Sequence, residues 1–458
     1  MGSKRDRRRL EIVHPNCAGI DVGKSRHYVA VDPSQTDTPV RSFLSFTDDL
    51  EAMAEWLKAC GVTVVAMEAT GVYWISLFEV LDRAGFECML VDPRMTKQVS
   101  GRKSDVLDCQ WIWQLTSYGL LRGAFRPPDE ICELRSYVRQ RRRAKTDAGR
   151  SVQHMQKALT QMNVQLDSVL SNIVGKTGLQ IIRAIVAGER DGQALARFRD
   201  RRVKADEQTL ARSLKGTWRE EHLFELAQAL ERYDLHQDQI ERLEARINDS
   251  ITMLAPDGNA SADDSESAAG DSSGKRARTA GERQLRRMLH QQLGVDLMRV
   301  PCIGLEAALT IASEIGPDVS RFPTARHFCS WLNLAPPTRI SGDRKIGGKA
   351  PKRTNPVGQA LRQAASTARN DKSVIGATHR RRMARIGKQP AIKATAHQLA
   401  RLIYALLSRG EEYLDRGLEA YEQERREAQH RHLERRARAL GMTLSPMSPE
   451  AAEQPALA

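Results

Sequence analysis

Four acidic residues in the first quarter of the 458-residue chain have the type and spacing for metal-assisted phosphodiester chemistry. Asp21 ends the apolar run Ala18-Gly19-Ile20, and Glu68 ends Val62-Thr63-Val64-Val65-Ala66-Met67. Asp105 and Asp108 stand three residues apart in a stretch that reads as helix, so both carboxylates share one face. Singly, each has a plain explanation: a turn residue, a strand-end charge, a solvated helix face. Together they are more specific, because Glu68 follows a run too apolar to place a charge without a partner. An unpaired buried carboxylate is costly, and a cation shared by the four removes that cost. Hard oxygen donors from two strand ends and one helix suit Mg²⁺. In a basic protein, such a site suggests cutting or joining phosphodiesters.

Two basic segments are candidates for the polyanion. Arg135, Arg139, Arg141, Arg142 and Arg143 crowd one helical stretch that runs on to Arg150. Further on, Arg339, Arg344, Lys345, Lys349, Lys352 and Arg353 accompany three glycines and one acid, Asp343. Glycines let backbone approach a phosphate closely, and the cations hold it. Ser341 lies in this second segment beside Gly342; on spacing alone it is incidental to a flexible basic loop. Gly175-Lys176-Thr177 imitates a phosphate loop, but position 170 is Leu where that pattern needs glycine, and no strand precedes it. Val300-Pro301-Cys302-Ile303-Gly304, with Ala307, Ala308 and Ile311 after it, suggests a helix-hairpin-helix, with Cys302 where a second glycine is usual. It reads equally as an anion nest or as a structural hairpin.

The elements that must position these groups follow from periodicity. Ala18–Asp21 and His27–Asp32 flank a hairpin turn, and Val40–Phe46 is a third strand. Asp49–Cys60 has helical spacing, and Val62–Met67 is a β-branched run fit for a strand buried on both faces. Gly71–Ala84 is an amphipathic helix stopped at Gly85, and Phe86–Val91 is the next strand. Three strands, helix, strand, helix, strand is an α/β pattern with a mixed sheet, the order of an RNase H-like domain. This first domain is placed at 12–128, followed by a helical region at 129–254. There Leu226, Leu230, Tyr233, Gln237, Ile240, Glu244, Ile247, Ile251 and Leu254 form a heptad seam with two polar interruptions. The seam reads as a dimerisation arm of coiled-coil type or as one long helix within a bundle. Residues 255–283 form a Ser/Ala/Asp/Gly tract that reads as a disordered linker. A mainly α domain at 284–410 follows, then a charged helix and a disordered tail at 411–458.

The formal net charge of +14, from 71 Lys+Arg against 57 Asp+Glu, favours a polyanionic partner. Seven cysteines, an odd count with no CxxC pair, read as reduced core thiols rather than a disulfide or zinc framework. No run approaches 18 apolar residues, which predicts a soluble, cytoplasmic protein with no membrane partner.

In its blocks Ala18-Gly19-Ile20-Asp21-Val22-Gly23, Met67-Glu68-Ala69-Thr70-Gly71-Val72-Tyr73 and Lys103–Asp108, the chain resembles the DEDD transposases of bacterial insertion sequences. Arg321–Arg326, Trp331–Pro336 and Ile340-Ser341-Gly342 extend the resemblance into the second half. It implies that Asp21, Glu68, Asp105 and Asp108 are the metal ligands of a Holliday-junction-resolvase-like domain. It implies that Ser341 attacks DNA to form a phosphoserine link, reversing the reading from spacing. It also implies a composite site shared between protomers of a dimer or tetramer, and, by analogy with bridge-RNA-guided relatives, a guide RNA. Two other readings compete with a recombinase: a resolvase or nuclease in which water attacks, and a non-catalytic nucleic-acid-binding scaffold.

Overall fold

The computed structural model describes residues 11–93, 95–96, 105–254, 280–335, 338–341, 344–347 and 355–412, and scattered positions between 423 and 443; for Asp105, Ala280, 338–341 and 344–347 it describes backbone alone. The chain divides into two compact units at Arg126/Pro127.

The first unit is built on β1 (Cys17–Val22), β2 (Arg26–Ala30), β3 (Val40–Leu44), α1 (Thr47–Ala59), β4 (Val64–Glu68), α2 (Trp74–Arg83), β5 (Glu87–Val91) and α3 (Asp105–Ser117). The sheet order is β3-β2-β1-β4-β5, with the β1–β2 and β2–β3 pairs antiparallel and the β1–β4 and β4–β5 pairs parallel. This is the mixed sheet of an RNase H-like domain, built from elements in the chain order that the periodicity predicts. Side chains alternate across a strand, and the two faces are used differently. Ala18, Ile20, Val22, Val65 and Met67 pack with Leu50, Met53 and Leu57 of α1 and Leu77 and Leu81 of α2. Ala66 and Val91 face the other way, onto Ile112 of α3 and Leu121. Gly85 ends α2 at φ +92°; its N–H donates to Asp82 O at 2.9 Å, and that of Phe86 to Leu81 O at 3.2 Å. Those paired bonds are the glycine C-cap the sequence predicts. The carboxyl end of the outer edge of β5 is covered by the chain's return: Val91 bridges Gly123, and Ala124 N–H donates to Leu90 O at 2.6 Å.

The second unit opens with α4 (Asp129–Gln161), followed by the short helices α5 (Leu166–Val169), α6 (Lys176–Val186), α7 (Gly192–Ala196) and α8 (Glu207–Ser213), and then α9 (Glu220–Leu254). The two long helices run antiparallel: Lys157 reaches Glu225 and Arg141 reaches Glu244. Met155, Ala158 and Leu159 of α4 meet Leu226, Ala229 and Leu230 of α9, with Ile181, Ile182 and Leu210 filling in from the short helices. The heptad seam is therefore occupied within the chain. Leu226, Leu230, Ile240, Ile247 and Ile251 are buried, and the interruption Glu244 is the partner of Arg141. Gly175-Lys176-Thr177 opens α6, and Thr177 Oγ1 accepts from Asp200 N–H at 3.0 Å, a structural role.

Then come α10 (Ala280–Leu293), α11 (Leu305–Ile315), α12 (Ala325–Trp331), β6 (Thr338–Ser341), β7 (Arg344–Gly347), α13 (Pro356–Thr367), α14 (Val374–Ile386) and α15 (Lys388–Arg409). Helix α10 begins within the tract read as linker, whose residues 255–279 lie outside the described residues. Cys302 takes φ +69°, the left-handed conformation of the glycine it replaces in the turn before α11. The segment read as a flexible loop around Ser341 is a two-stranded antiparallel ribbon, with Ser341 paired to Arg344. β-Branched Thr338 and Ile340 and the apolar Ile346 fit that pairing. All seven cysteines are free, and no helix among the described residues is long and apolar enough to cross a membrane.

Candidate active site

Asp21 and Glu68 are brought together by strand register. Strands β1 and β4 are parallel, pairing Gly19 with Ala66 and Ile20 with Met67, so Asp21 and Glu68 occupy the next position along. Ile20 and Met67 point toward α1 and α2. Alternation then turns Asp21 and Glu68 to the opposite face, at the carboxyl ends of the two strands.

Helix α3 covers that face and runs antiparallel to β1, as four contacts show. Val13 and His14 N–H groups donate to Ser117 O at 2.8 and 3.1 Å. Cys17 Sγ lies 3.8 Å from Trp113 O. A Cβ on Gly19 would stand 2.5 Å from Cys109 O and 2.1 Å from Trp113 N, so only glycine lets the helix backbone lie against the strand here. The next strand residue on this face is Asp21, opposite the first turn of α3, where Asp105 and Asp108 stand. The Cys109 thiol records the convergence: burial, and then the charge of Asp21, push it up to about 12, with Asp108 adding to the rise. It stays protonated and donates to Val106 O at 3.2 Å.

Glu68 is half-buried, and two threonine hydroxyls fix its orientation. Thr70 Oγ1 donates to Oε1 and Thr96 Oγ1 to Oε2, each at 2.7 Å. Hydrogen bonds to a carboxylate are worth about 1.5–3 kcal/mol each, and both leave lone pairs on the same oxygens for a cation. Neither threonine was singled out in the sequence. Thr70 had a signal, standing two residues after Glu68 within Ala69-Thr70-Gly71; Thr96, 28 residues away, had none.

The donor chemistry fits a hard divalent cation: carboxylate oxygens supply the charge, and the one nearby thiol is held protonated. Asp21, Glu68 and Asp108 line one end of the sheet. Among the described residues, no three His, Cys, Asp or Glu side chains are close enough together to hold a metal. The Asp105 side chain, which opens α3, lies outside the described residues.

The basic segments divide sharply. Arg139 makes a two-pronged pair with Glu314, its Nε and Nη2 each 2.7 Å from a carboxylate oxygen, and Arg135 approaches the same group at 3.5 Å. Arg141 is buried and donates to Glu244 at 2.8 Å and to Glu306 at 2.9 and 3.0 Å. Arg135 and Arg139 thus tie α4 to α11, and Arg141 ties it to both α9 and α11, so each of the three is engaged by a carboxylate of the same chain. Arg142 and Arg143 are exposed. The backbones of Arg339, Ser341, Arg344 and Lys345 lie in the ribbon, whereas Lys349, Lys352 and Arg353 fall outside the described residues.

Two family models match this chain. One, described as a transposase and specific to the DEDD type of IS110, covers residues 18–164, thus the sheet, α3 and α4. The other, described as the transposase IS116/IS110/IS902 family, covers residues 294–382, including the ribbon. No curated protein matches the chain. The two models fall in the order of the two sequence halves and together span slightly more than half of it; the chain belongs to the IS110-type transposases, enzymes of DNA transposition.

Proposed function

We propose that this transposase cuts and rejoins DNA strands with Mg²⁺ held by Asp21, Glu68, Asp105 and Asp108 and with Ser341 as nucleophile. The observation that carries the reading is the register of β1 and β4, which sets Asp21 beside Glu68 on the face that α3 covers. Bound there, Mg²⁺ would neutralise the scissile phosphate and stabilise charge in the transition state. The chain's own residues supply the rest. Thr70 and Thr96 hold Glu68 in one orientation, and Gly19 holds α3 close enough to aim its first turn at Asp21. The Ser341 hydroxyl oxygen forms a bond to phosphorus while the bond to the departing strand's oxygen breaks. The serine proton ends on that oxygen, leaving a phosphoserine and a free hydroxyl. Reversal of the step on another strand rejoins DNA without a nucleotide triphosphate, in keeping with the rejected phosphate-loop pattern at Gly175. A serine hydroxyl needs activation at its ordinary pKa; a carboxylate of the acidic quartet or the cation would be suited to provide it.

The test uses plasmid DNA carrying the sequences that flank the coding region. Wild type should leave a denaturation-resistant protein–DNA adduct that Ser341→Ala and Asp21→Ala both abolish. Normal cutting by Ser341→Ala would instead make water the nucleophile, and retained transposition by Asp21→Ala would make the protein a scaffold. Guidance by a non-coding RNA is proposed from the family resemblance; recombination at full rate by RNA-free protein rules it out.

A further inference from the structure

From Lys372 to Gly410 the chain holds nine Lys and Arg and no Asp or Glu. This stretch is α14, the single residue Gly387, and α15. Gly387 has φ +83°, which lets the two helices meet in one residue, and no atom lies within 4 Å of where its Cβ would be.

The inner side of this hairpin is fixed. Val374 and Ile375 are buried, and His379 Nδ1 lies 3.0 Å from Thr395 Oγ1. Arg382 donates to Gln398 at 2.8 Å, a second link of the same sequence separation. Arg380 is also used internally, donating to the carbonyls of Arg369 and Asp371 at 2.9 and 2.7 Å. Four cations remain exposed: Arg381 and Arg385, one turn apart on α14, and Lys388 and Lys393 in the first two turns of α15. None of the four has an ion-pair partner among the described residues.

We propose that these exposed cations of α14 and α15 form a docking surface for the phosphate backbone of duplex DNA. The proposal rests on the reading that the protein acts on DNA, and adds where the duplex is gripped. Charge complementarity carries it: cations held on rigid helices, with no carboxylate in the same stretch to neutralise them, match a backbone with one charge per roughly 1.7 Å of duplex axis. A duplex is favoured over a single strand because recognition of unstacked bases uses aromatic platforms. Helix α14 has no Phe, Tyr or Trp, and the Tyr404 hydroxyl of α15 is bonded to Phe322 O at 2.7 Å.

The experiment measures affinity of the full chain, freed of nucleic acid, for duplex DNA across a salt series, beside a single strand and a structured RNA. The triple variant Arg381→Gln, Arg385→Gln, Lys388→Gln should reduce the slope of log affinity on log salt by about 2.7, at roughly 0.9 per phosphate contact. The wild-type advantage then shrinks about 40-fold between 50 and 200 mM salt. Removing three exposed cations elsewhere (Arg197→Gln, Arg201→Gln, Lys204→Gln) should leave the slope alone, as should Arg381→Lys with Arg385→Lys. Circular dichroism confirms that each variant is folded. An unchanged slope for the triple variant overturns the surface while sparing the functional reading. Loss of RNA binding with duplex binding intact overturns duplex DNA as the occupant. A wild type without salt-dependent duplex binding overturns the functional reading and this surface with it.

Discussion

Replacing Gly19 with alanine should damage the proposed active site through its scaffold, without touching a carboxylate. The added Cβ would meet Trp113 N at 2.1 Å, Cys109 O at 2.5 Å and Trp113 Cα at 2.7 Å, all backbone atoms of α3 that no rotamer change can move. Ordinary carbon contact begins near 3.4 Å, so strand and helix must separate by about 1.3 Å at the closest point. Overpacking of this kind costs about 3 kcal/mol, which lowers the melting temperature by on the order of 10 °C. The same displacement carries Asp105 and Asp108 away from Asp21 and Glu68. Misplacement of about 1 Å typically reduces rate on the order of 100-fold. Thermal unfolding and the phosphoserine-adduct assay, run below the variant's melting point, report the two effects separately. Gly149→Ala in α4 is the control: no atom lies within 4 Å of its would-be Cβ, so it should be neutral or slightly stabilising. If Gly19→Ala forms adduct at the wild-type rate, α3 does not aim the carboxylates and the argument from register fails.

Other perturbations test single contacts. Thr96→Val keeps the shape of a side chain that is 8% exposed but removes the donor to Glu68 Oε2; it should raise the Mg²⁺ concentration for half-maximal cleavage by about 10-fold or more, read from a metal titration. Glu306 tests the clasp between α4 and α11. Burial alone would push its carboxyl up, but hydrogen bonds and charge from Arg141 and Lys145 outweigh burial and hold it at about 2, below its ordinary 4.5. A depressed carboxyl stabilises fully above 4.5, and this contribution is lost as pH falls toward 2. Because the Glu306 side chain is 66% exposed, solvent screening limits this to about 1 kcal/mol. Denaturation across pH 5 to 2 should therefore show wild type losing that stability relative to Glu306→Gln, and parallel curves would refute the clasp.

The succession of elements along the first unit was legible because local pattern suffices for it: a β-branched run at 62–67, alternation at 18–22, and a helix ended by Gly85. The placement of Asp21 and Glu68 near the carboxyl ends of β1 and β4 was legible for the same reason, since each follows an apolar strand run. What local pattern does not encode is the identity of distant partners. The arginines of α4 have helical spacing, but nothing near them indicates that Glu244, Glu306 and Glu314 lie 103 to 175 residues away to neutralise them. The heptad seam likewise declares that α9 has an apolar partner without saying that the partner is α4. Thr96 belongs to this group, reaching Glu68 from beyond β5. The ribbon around Ser341 escaped notice because glycines and lysines mask the short alternation of Thr338, Ile340 and Ile346.

The return of the chain along β5 has a consequence for how the first unit behaves among its own kind. An open sheet edge is a template on which another chain can zip by backbone hydrogen bonds, and newly made chains are at greatest risk. The Val91–Gly123 bridge and the bond from Ala124 occupy the carboxyl end of that template, beside β4, with the protein's own backbone. At the opposite edge, β3 is short and places Arg41, itself stacked 5.1 Å over the Trp56 ring, where a foreign strand would have to settle. A partly covered edge on one side and a charged one on the other make this sheet a poorer template for strand addition.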